Sequence, residues 1–310
     1  MSNTSKTVLI TGATAGIGRV TALHLAKRGH HVIATGRKSA ELAKLKTEAV
    51  GLHLDTLLLD VTSAASITSA VAATNVLTGG RPLDVLVNNA GFGVLGPTAE
   101  IDDAEMRRQY ETNVFGLMNV TRAFLPQMRA HHRGRIINVS SIGGRITLPY
   151  FGVYNSTKYA LESLSNALRY ELKPFGIDVA LIEPGVIRTN FEATAVGDLR
   201  KFASTPYAPA MAKYEELSRM ADQLASDPIV IAKAITRAAE ARRPSARYVA
   251  PASTRLMLLM SAVLPTRVWD WAMRKVARLD AKTLGVSARP TPSSTRRVSA
   301  QKTTEVHAAN

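Results

Sequence analysis

Short apolar runs, separated by stretches of helix length, set the rhythm of the first 190 residues. The runs are Thr7–Ile10, His31–Ala34, Thr56–Leu59, Val85–Val87, Arg135–Val139 and Val179–Ile182, all rich in Val, Ile and Leu. Continuous apolar runs of this length are how strands buried on both faces read. Their alternation with helical segments predicts βαβ units, a parallel sheet and right-handed crossovers. The expected fold class is therefore α/β, a doubly wound parallel sheet with helices on both faces. In the first helix Gly18, Ala22 and Leu25 recur at i, i+4 and i+7 and share a face. Gly29 stands where that helix should end.

The alternation breaks between Asn190 and Asp227, where Pro206 and Pro209 interrupt a helix-compatible stretch and Pro228 follows it. This segment is expected to form a substrate loop. A helix over Pro228–Ala241, a strand at RYVAP and a helical extension over residues 251–285 follow. The single domain is thus expected over residues 1–285. Residues 286–310, rich in Ser, Thr, Arg and Pro, cannot bury enough to order themselves and read as a basic tail.

Charge adds one asymmetry. The 310-residue chain carries a formal +15, and the last stretch from Ile229 holds 15 Lys and Arg against 4 Asp and Glu. A basic end suits an anionic surface. No recognition motif supports nucleic-acid binding, and charge alone gives only weak, salt-dependent association. Over Arg267–Leu279, Val268, Ala272, Val276 and Leu279 fall on one face, with Trp269 and Trp271 available for an interface. Such a helix suits a lid, core packing or peripheral membrane contact. No run approaches the ~20 apolar residues of a spanning helix, and the N-terminus has no secretory pattern. A cytoplasmic location, possible contact with a membrane surface included, is the expectation. There are no cysteines, which excludes disulfides and thiolate metal sites; no metal site is expected.

TGATAGIG, Thr11 to Gly18, follows the first strand and opens the first helix. Gly12, Gly16 and Gly18 remove Cβ atoms where a backbone must pass a pyrophosphate, and the helix start offers free N–H groups and the positive dipole end. This is a Rossmann-type context, with strand before and helix after. The spacing, Gly-x3-Gly-x-Gly, resembles the classical form of the short-chain dehydrogenase/reductase family.

The second strand ends in Gly36-Arg37, with no acidic residue placed to bond a ribose 2′-hydroxyl. The Arg37 guanidinium can instead pair with a 2′-phosphate, so NADP(H) is the expected cofactor over NAD.

Tyr154 and Lys158, in YNSTK, are spaced i, i+4 on one helix face. A tyrosine with a pKa near ~10 is a poor base at neutral pH. A neighbouring ammonium stabilises its phenolate and makes it usable as an acid or base. Thirteen residues earlier, NVSSIGG supplies a serine hydroxyl at a strand C-terminus, where ligands bind in open α/β sheets.

The resemblance extends through these motifs in family order and implies the remaining roles. It selects Ser141 over Ser140 by its interval to Tyr154. It makes Asn113, in ETNVFG, the fourth catalytic position, holding a water that relays protons to Lys158. It places Asp60 and Val61 at the adenine, and Asn89, Ala90 and Gly91 of NNAG along the cofactor. Thr14, Ala15 and Ile17 join the glycines of the first loop. Pro184, Gly185, Ile187 and Thr189 of EPGVIRTNF are implied at the nicotinamide, with Ile187 and Thr189 bonding its carboxamide. Tyr154 and Lys158 also touch the cofactor, Lys158 through the nicotinamide ribose. The activity implied is hydride transfer between NADP(H) and an alcohol or carbonyl carbon.

Phe92, Val94, Leu95, Leu148, Tyr150 and Phe151 flank the catalytic motifs and could build an apolar pocket. Phe92 and Tyr150, with Ser141, are the expected substrate contacts. The stretch SSIGGRITLPYFGVYNSTKYALES is similar to members of the family that handle steroids and retinoids. This points to a lipophilic small molecule, with fatty-acyl or other small carbonyl compounds as the alternative and a catalytically silent NADP sensor as a further one. Family members commonly assemble through the Tyr154 helix, whose second apolar row is Leu161, Leu164 and Leu168; a homodimer or homotetramer is expected, with that row facing either the sheet or a partner.

Overall fold

The computed structural model describes residues 5–189, 191, 199–214 and 225–286. Seven parallel strands form one sheet in the order β3-β2-β1-β4-β5-β6-β7. They are β1 (Thr7–Ile10), β2 (His31–Gly36), β3 (Leu54–Leu58), β4 (Val85–Asn88), β5 (Gly134–Val139), β6 (Ile177–Pro184) and β7 (Arg247–Ala250). Every expected strand is present. β2, β4 and β6 run one or two residues past the apolar stretches that announce them, because buried polar residues such as Thr35, Asn88 and Glu183 continue the ladder. On β3 the strand starts two residues before the expected run and stops at Leu58.

Successive strand residues point to opposite faces, and the two core layers show it. Val8, Ile10, Val32, Ala34, Val85 and Val87 pack on one side, against Ala22 and Leu25 of α1 (Gly16–Lys27), Leu45 of α2 (Ser39–Glu48), and Ile231 and Ile235 further on. Leu9, Ile33 and Leu86 pack on the other, against Ile67 of α3 (Ala64–Thr78) and Phe124 in α5 (Leu117–Ala130), which follows the short α4 (Asp103–Tyr110). Leu161 and Leu168 of α6 (Gly152–Glu171) are buried and Leu164 partly so, with Leu168 in this second layer; that row faces inward rather than a partner. Gly29 closes the stretch after α1 in a left-handed conformation, φ +87°.

The order reverses at β1, whose neighbours β2 and β4 carry the chain in opposite directions across the sheet. The crossovers that follow β1 and β4 therefore leave toward opposite edges of the sheet, and the strand C-termini at this reversal are the general ligand position in such sheets.

After β6 the chain crosses a stretch of which residues 190, 192–198 and 215–224 lie outside the described residues, so the expected substrate loop is seen only in part. Then come α7 (Ile229–Glu240), β7, α8 (Thr254–Val263), α9 (Thr266–Val276) and α10 (Ala281–Leu284). The expected tail, beyond Val286, also lies outside the described residues. The apolar face read over Arg267–Leu279 is divided. Val268 and Val276 are exposed, whereas Trp269 packs inward beside Leu258, and Ala277 and Leu279 beside Tyr150. The helix ends at Val276, and Arg278 takes a left-handed backbone, which turns the last residues of the period inward. Among the described residues no helix is long and apolar enough to cross a membrane.

Candidate active site

The glycine-rich loop is built by contacts that leave no room for side chains. Gly12, at φ +65°, would place a Cβ 2.9 Å from the Ala90 Cα, and a Cβ on Gly18 would sit 2.5 Å from Asn89 Nδ2. Asn89 Nδ2 donates to the Thr11 and Gly12 carbonyls, both at 3.0 Å. Thr11 Oγ1 accepts from the Asn89 and Ala90 amides, also at 3.0 Å. These bonds lock the loop after β1 to the NNAG segment after β4 across the switch point. Thr14 packs against Gly36, where a Cβ would stand 2.5 Å from its Cγ2. The bonding role of Thr11 was not read from the sequence; a threonine before a glycine-rich turn gives no distinctive signal.

Ala15 caps α1 with no side-chain bond, Ile17 and Gly18 lie in its first turn, and that turn holds no acidic residue. Its N–H groups thus keep their positive field for an anion. Thr189 reaches back to this loop; a Cβ on Gly16 would meet its side chain at 3.5 Å. Ile187 is bridged to Ser226 and Gly185 donates to the Ala250 carbonyl at 2.9 Å. The turn beginning at Pro184 is in this way tied to β7. Gly185 also lies so close to Thr254 of α8 that a Cβ would overlap its hydroxyl.

Arg37 is exposed just past β2. Asp60 accepts from the Thr62 amide at 2.9 Å and from its hydroxyl at 2.7 Å. Burial opposes its ionisation, yet the Thr62 bonds and the Arg37 charge hold its carboxyl below the usual range. Ser63 caps α3. Val61 is buried against Gly116.

At the C-terminus of β5, Ser141 Oγ accepts from the Gly143 amide at 3.0 Å. Ser140 turns the other way. Its hydroxyl is buried near Gly144 and has no protein partner among the described residues. Tyr154 and Lys158 stand on successive turns of α6, with Lys158 Nζ 5.7 Å from the Tyr154 ring centroid. Nζ donates to the Val139 carbonyl at 2.9 Å. Burial brings the Lys158 ammonium down to about 8, against the opposing charge of Glu162. Burial pushes the Tyr154 phenol up to about 12, with the Ser141 hydroxyl drawing it back.

Asn113 lies in a π-helical turn, Glu111–Gly116, between α4 and α5. Such turns insert an extra residue and re-aim side chains. Asn113 Nδ2 donates to the Phe92 carbonyl at 2.8 Å and to Thr157 Oγ1 at 3.1 Å, while Oδ1 accepts from the Phe92 amide at 3.1 Å. Its side chain thus holds the segment after Gly91 against α6. Gln109 does the same one turn earlier, accepting from the Val94 amide at 2.9 Å. Gln109 and Thr157 were not singled out in the sequence, since a buried polar residue inside a helix looks like any exposed one.

The apolar wall expected here is largely assembled. Phe92, Val94, Leu95, Tyr150, Phe151 and Phe191 belong to one cluster, and Phe191 meets the Tyr154 ring edge-on at 5.2 Å. Leu148 packs elsewhere, beside Ile142 and α8. Tyr150 has its hydroxyl committed, donating to the Ala277 carbonyl at 2.8 Å. It therefore offers a substrate its ring only. Beneath this wall Arg247 binds the buried carboxylates of Glu162 and Glu183, at 3.1 and 3.0 Å, and fixes α6 to β6 and β7.

Comparison with known proteins places this arrangement among relatives. The family model described as short chain dehydrogenase matches residues 6–199. A 3-ketodihydrosphingosine reductase of Bacteroides thetaiotaomicron is 34% identical over 269 residues, covering 86% of this chain and 96% of that protein. An NADPH-dependent 3-dehydrocapnine reductase of Ornithobacterium rhinotracheale is 31% identical over 266 residues, covering 84% and 94%. The crystal structure of a short-chain dehydrogenase from Streptomyces avermitilis superposes with a TM-score of 0.72 at 34% identity, covering 90% of this chain and 99% of that one.

Proposed function

The chain belongs to the short-chain dehydrogenase family and is an oxidoreductase; from that premise we propose that it reduces the carbonyl group of a lipophilic small molecule with NADPH. The observation that carries this reading is the convergence of Ser141, Tyr154 and Lys158 at the strand C-termini, between a glycine-rich loop and an apolar aromatic wall. The loop fits a dinucleotide: side-chain-free glycines, an uncapped helix start and an exposed Arg37 suited to a 2′-phosphate. When bound, the nicotinamide supplies the hydride.

The chain's own residues do the rest. Ser141 donates a hydrogen bond to the substrate oxygen and holds it in place. Tyr154 donates to the same oxygen and transfers its proton as negative charge develops there. Lys158 holds the ribose and keeps positive charge beside the phenol. Asn113 fixes the wall and stands next to the proton path to Lys158. Gly12, Thr14, Ala15, Gly16, Ile17 and Gly18 cradle the phosphates; Asp60 and Val61 face the adenine; Asn89, Ala90 and Gly91 run along the cofactor; Pro184, Gly185, Ile187 and Thr189 set the nicotinamide face. Phe92 and the Tyr150 ring line the substrate pocket. Alcohol oxidation is the same path reversed.

The relatives named above act, by their names, on 3-ketodihydrosphingosine and on 3-dehydrocapnine, the latter with NADPH. Both support a lipid-like ketone over a small polar one. Exposed aromatics on the α5 and α6 side, Phe115, Tyr159 and Tyr170, leave a surface for the homo-oligomer common in the family.

The test is NADPH fluorescence decay against a panel of long-chain ketones, steroids, retinoids and short aldehydes, with NADH in parallel. Turnover of a lipophilic ketone with NADPH is expected. Equal use of NADH overturns the cofactor assignment, and tight NADPH binding without any turnover overturns the enzymatic one.

A further inference from the structure

Helix α8 turns a stripe of apolar side chains outward. Leu256, Leu259, Met260 and Val263 recur at i, i+3, i+4 and i+7, the spacing of one helix face, and they are 46–69% exposed. The opposite face, Thr254 and Leu258, is buried, Leu258 against Ile142 and Ile146 just beyond Ser141. Helix α9 follows directly and exposes Val268, Trp271 and Val276.

The charges around this surface have one dominant sign. Arg255, Arg267, Arg274, Lys275 and Arg278 are all exposed, and residues 251–286 hold six Lys and Arg against two Asp. A second copy of the chain would bring the same positive field to such a face, which disfavours self-pairing. An apolar stripe edged by cations, with an exposed tryptophan, matches instead the headgroup boundary of an anionic bilayer. At ten residues α8 is about 15 Å long, so it can lie in that boundary but not span it.

We propose that α8 and α9 form a docking surface for anionic lipid membranes, with the Leu256–Val263 stripe inserted at the headgroup level. The inner face of α8 packs on the loop that follows Ser141, so docking sets the catalytic crevice beside the lipid. The docking stands on exposure and charge; its purpose, collecting a lipid ketone from the bilayer, rests on the function proposed above.

The test is co-sedimentation of the full-length, untagged protein with phosphatidylcholine vesicles and with vesicles carrying about one third phosphatidylserine. Wild type should pellet with the anionic vesicles at low salt and be released at ~0.5 M salt. Leu259→Glu/Val263→Glu, checked for folding by NADPH binding, should stay in the supernatant although the basic C-terminal residues are intact. Wild type remaining in the supernatant, or the double variant pelleting as well as wild type, overturns the proposal. A wild-type dimer that the double variant splits, with no vesicle binding, overturns it in favour of an interface between copies. NADPH oxidation with a soluble ketone, measured on the same samples, separates the two readings. Turnover without docking leaves the function and removes the membrane; docking without turnover does the reverse.

Discussion

Lys158 Nζ stands 5.7 Å from the centroid of the Tyr154 ring, yet its hydrogen bond goes to the Val139 carbonyl. The ammonium is anchored to β5 and stands over the phenol ring rather than bonded to it. In the protein alone, burial leaves the lysine at about 8 and the tyrosine at about 12. A lysine near 8 is within reach of neutrality, but a phenol near 12 is a poor acid or base there; a positively charged nicotinamide ring, when bound, would lower the phenol.

Burial of Lys158 has a stability signature. Between about pH 8 and 10.5 the unfolded chain holds a proton on this lysine that the folded chain has released. Stability therefore rises with pH across that window. Lys158→Met should remove the rise. The variant should gain relative to wild type at pH 7, and the gap should narrow by on the order of 3 kcal/mol by pH 10.5. Thermal midpoints measured across pH 7 to 10.5 check it; parallel curves for the two proteins would contradict it. Above pH 10 Tyr154 works in the opposite sense, since its folded form keeps the proton longer.

Tyr154→Phe removes the proton donor and leaves the ring packed against Phe191. A fall in kcat of about 10²- to 10⁴-fold is expected, with NADPH affinity nearly unchanged in fluorescence titration. Retained turnover would show that another group supplies the proton.

Ser141 and Ser140 are adjacent but point apart. Ser141→Ala should cost about 10²-fold in kcat, the scale of one lost oxyanion donor. Ser140→Ala, whose hydroxyl is buried without a protein partner among the described residues, should keep most of the activity. Steady-state kinetics on both variants decides, and the reverse order would move the catalytic role to Ser140.

Arg37→Asp should exchange a phosphate-binding cation for a ribose-binding carboxylate. One lost charged hydrogen-bond pair corresponds to roughly 10- to 100-fold in NADPH affinity, with NADH binding maintained or improved. Dissociation constants for both cofactors are the measurement.

Thr11→Val keeps the shape but leaves the Asn89 and Ala90 amides unpaired. A fully buried unpaired donor costs about 1–3 kcal/mol; these two amides are part-buried, so the low end of that range applies. Urea denaturation should show a loss of that order, and NADPH affinity should drop with it because the loop is no longer pinned. An unchanged denaturation midpoint would mean that the two amides find other partners.

What the sequence disclosed and what it hid follow one physical line. Strands betrayed themselves through unbroken apolar runs, because both faces of this sheet are covered. Tyr154 and Lys158 were visible because a fixed i, i+4 spacing implies a shared helix face. The supports were not visible. Thr11, Gln109 and Thr157 act by accepting hydrogen bonds from residues distant in sequence, and a single threonine or glutamine carries no periodicity. The outward stripe of α8 was hidden for a different reason: Leu256 to Leu264 reads as an apolar run, and only packing decides which side meets protein. Tyr150 showed a ring near the site but not the bond that ties its hydroxyl to Ala277.

Gly18 and Asn89 occupy one shared volume: the missing Cβ of the first is filled by the amide of the second. A methyl at position 18 would also overlap the Gly12 carbonyl oxygen, so shortening Asn89 does not make room for it. Shortening Asn89 would instead free the Thr11 and Gly12 carbonyls that its amide now binds. The backbone of the first loop thus demands both the bare glycine and the amide that fills the space beside it. The two segments, 71 residues apart in the chain, behave as one heritable unit.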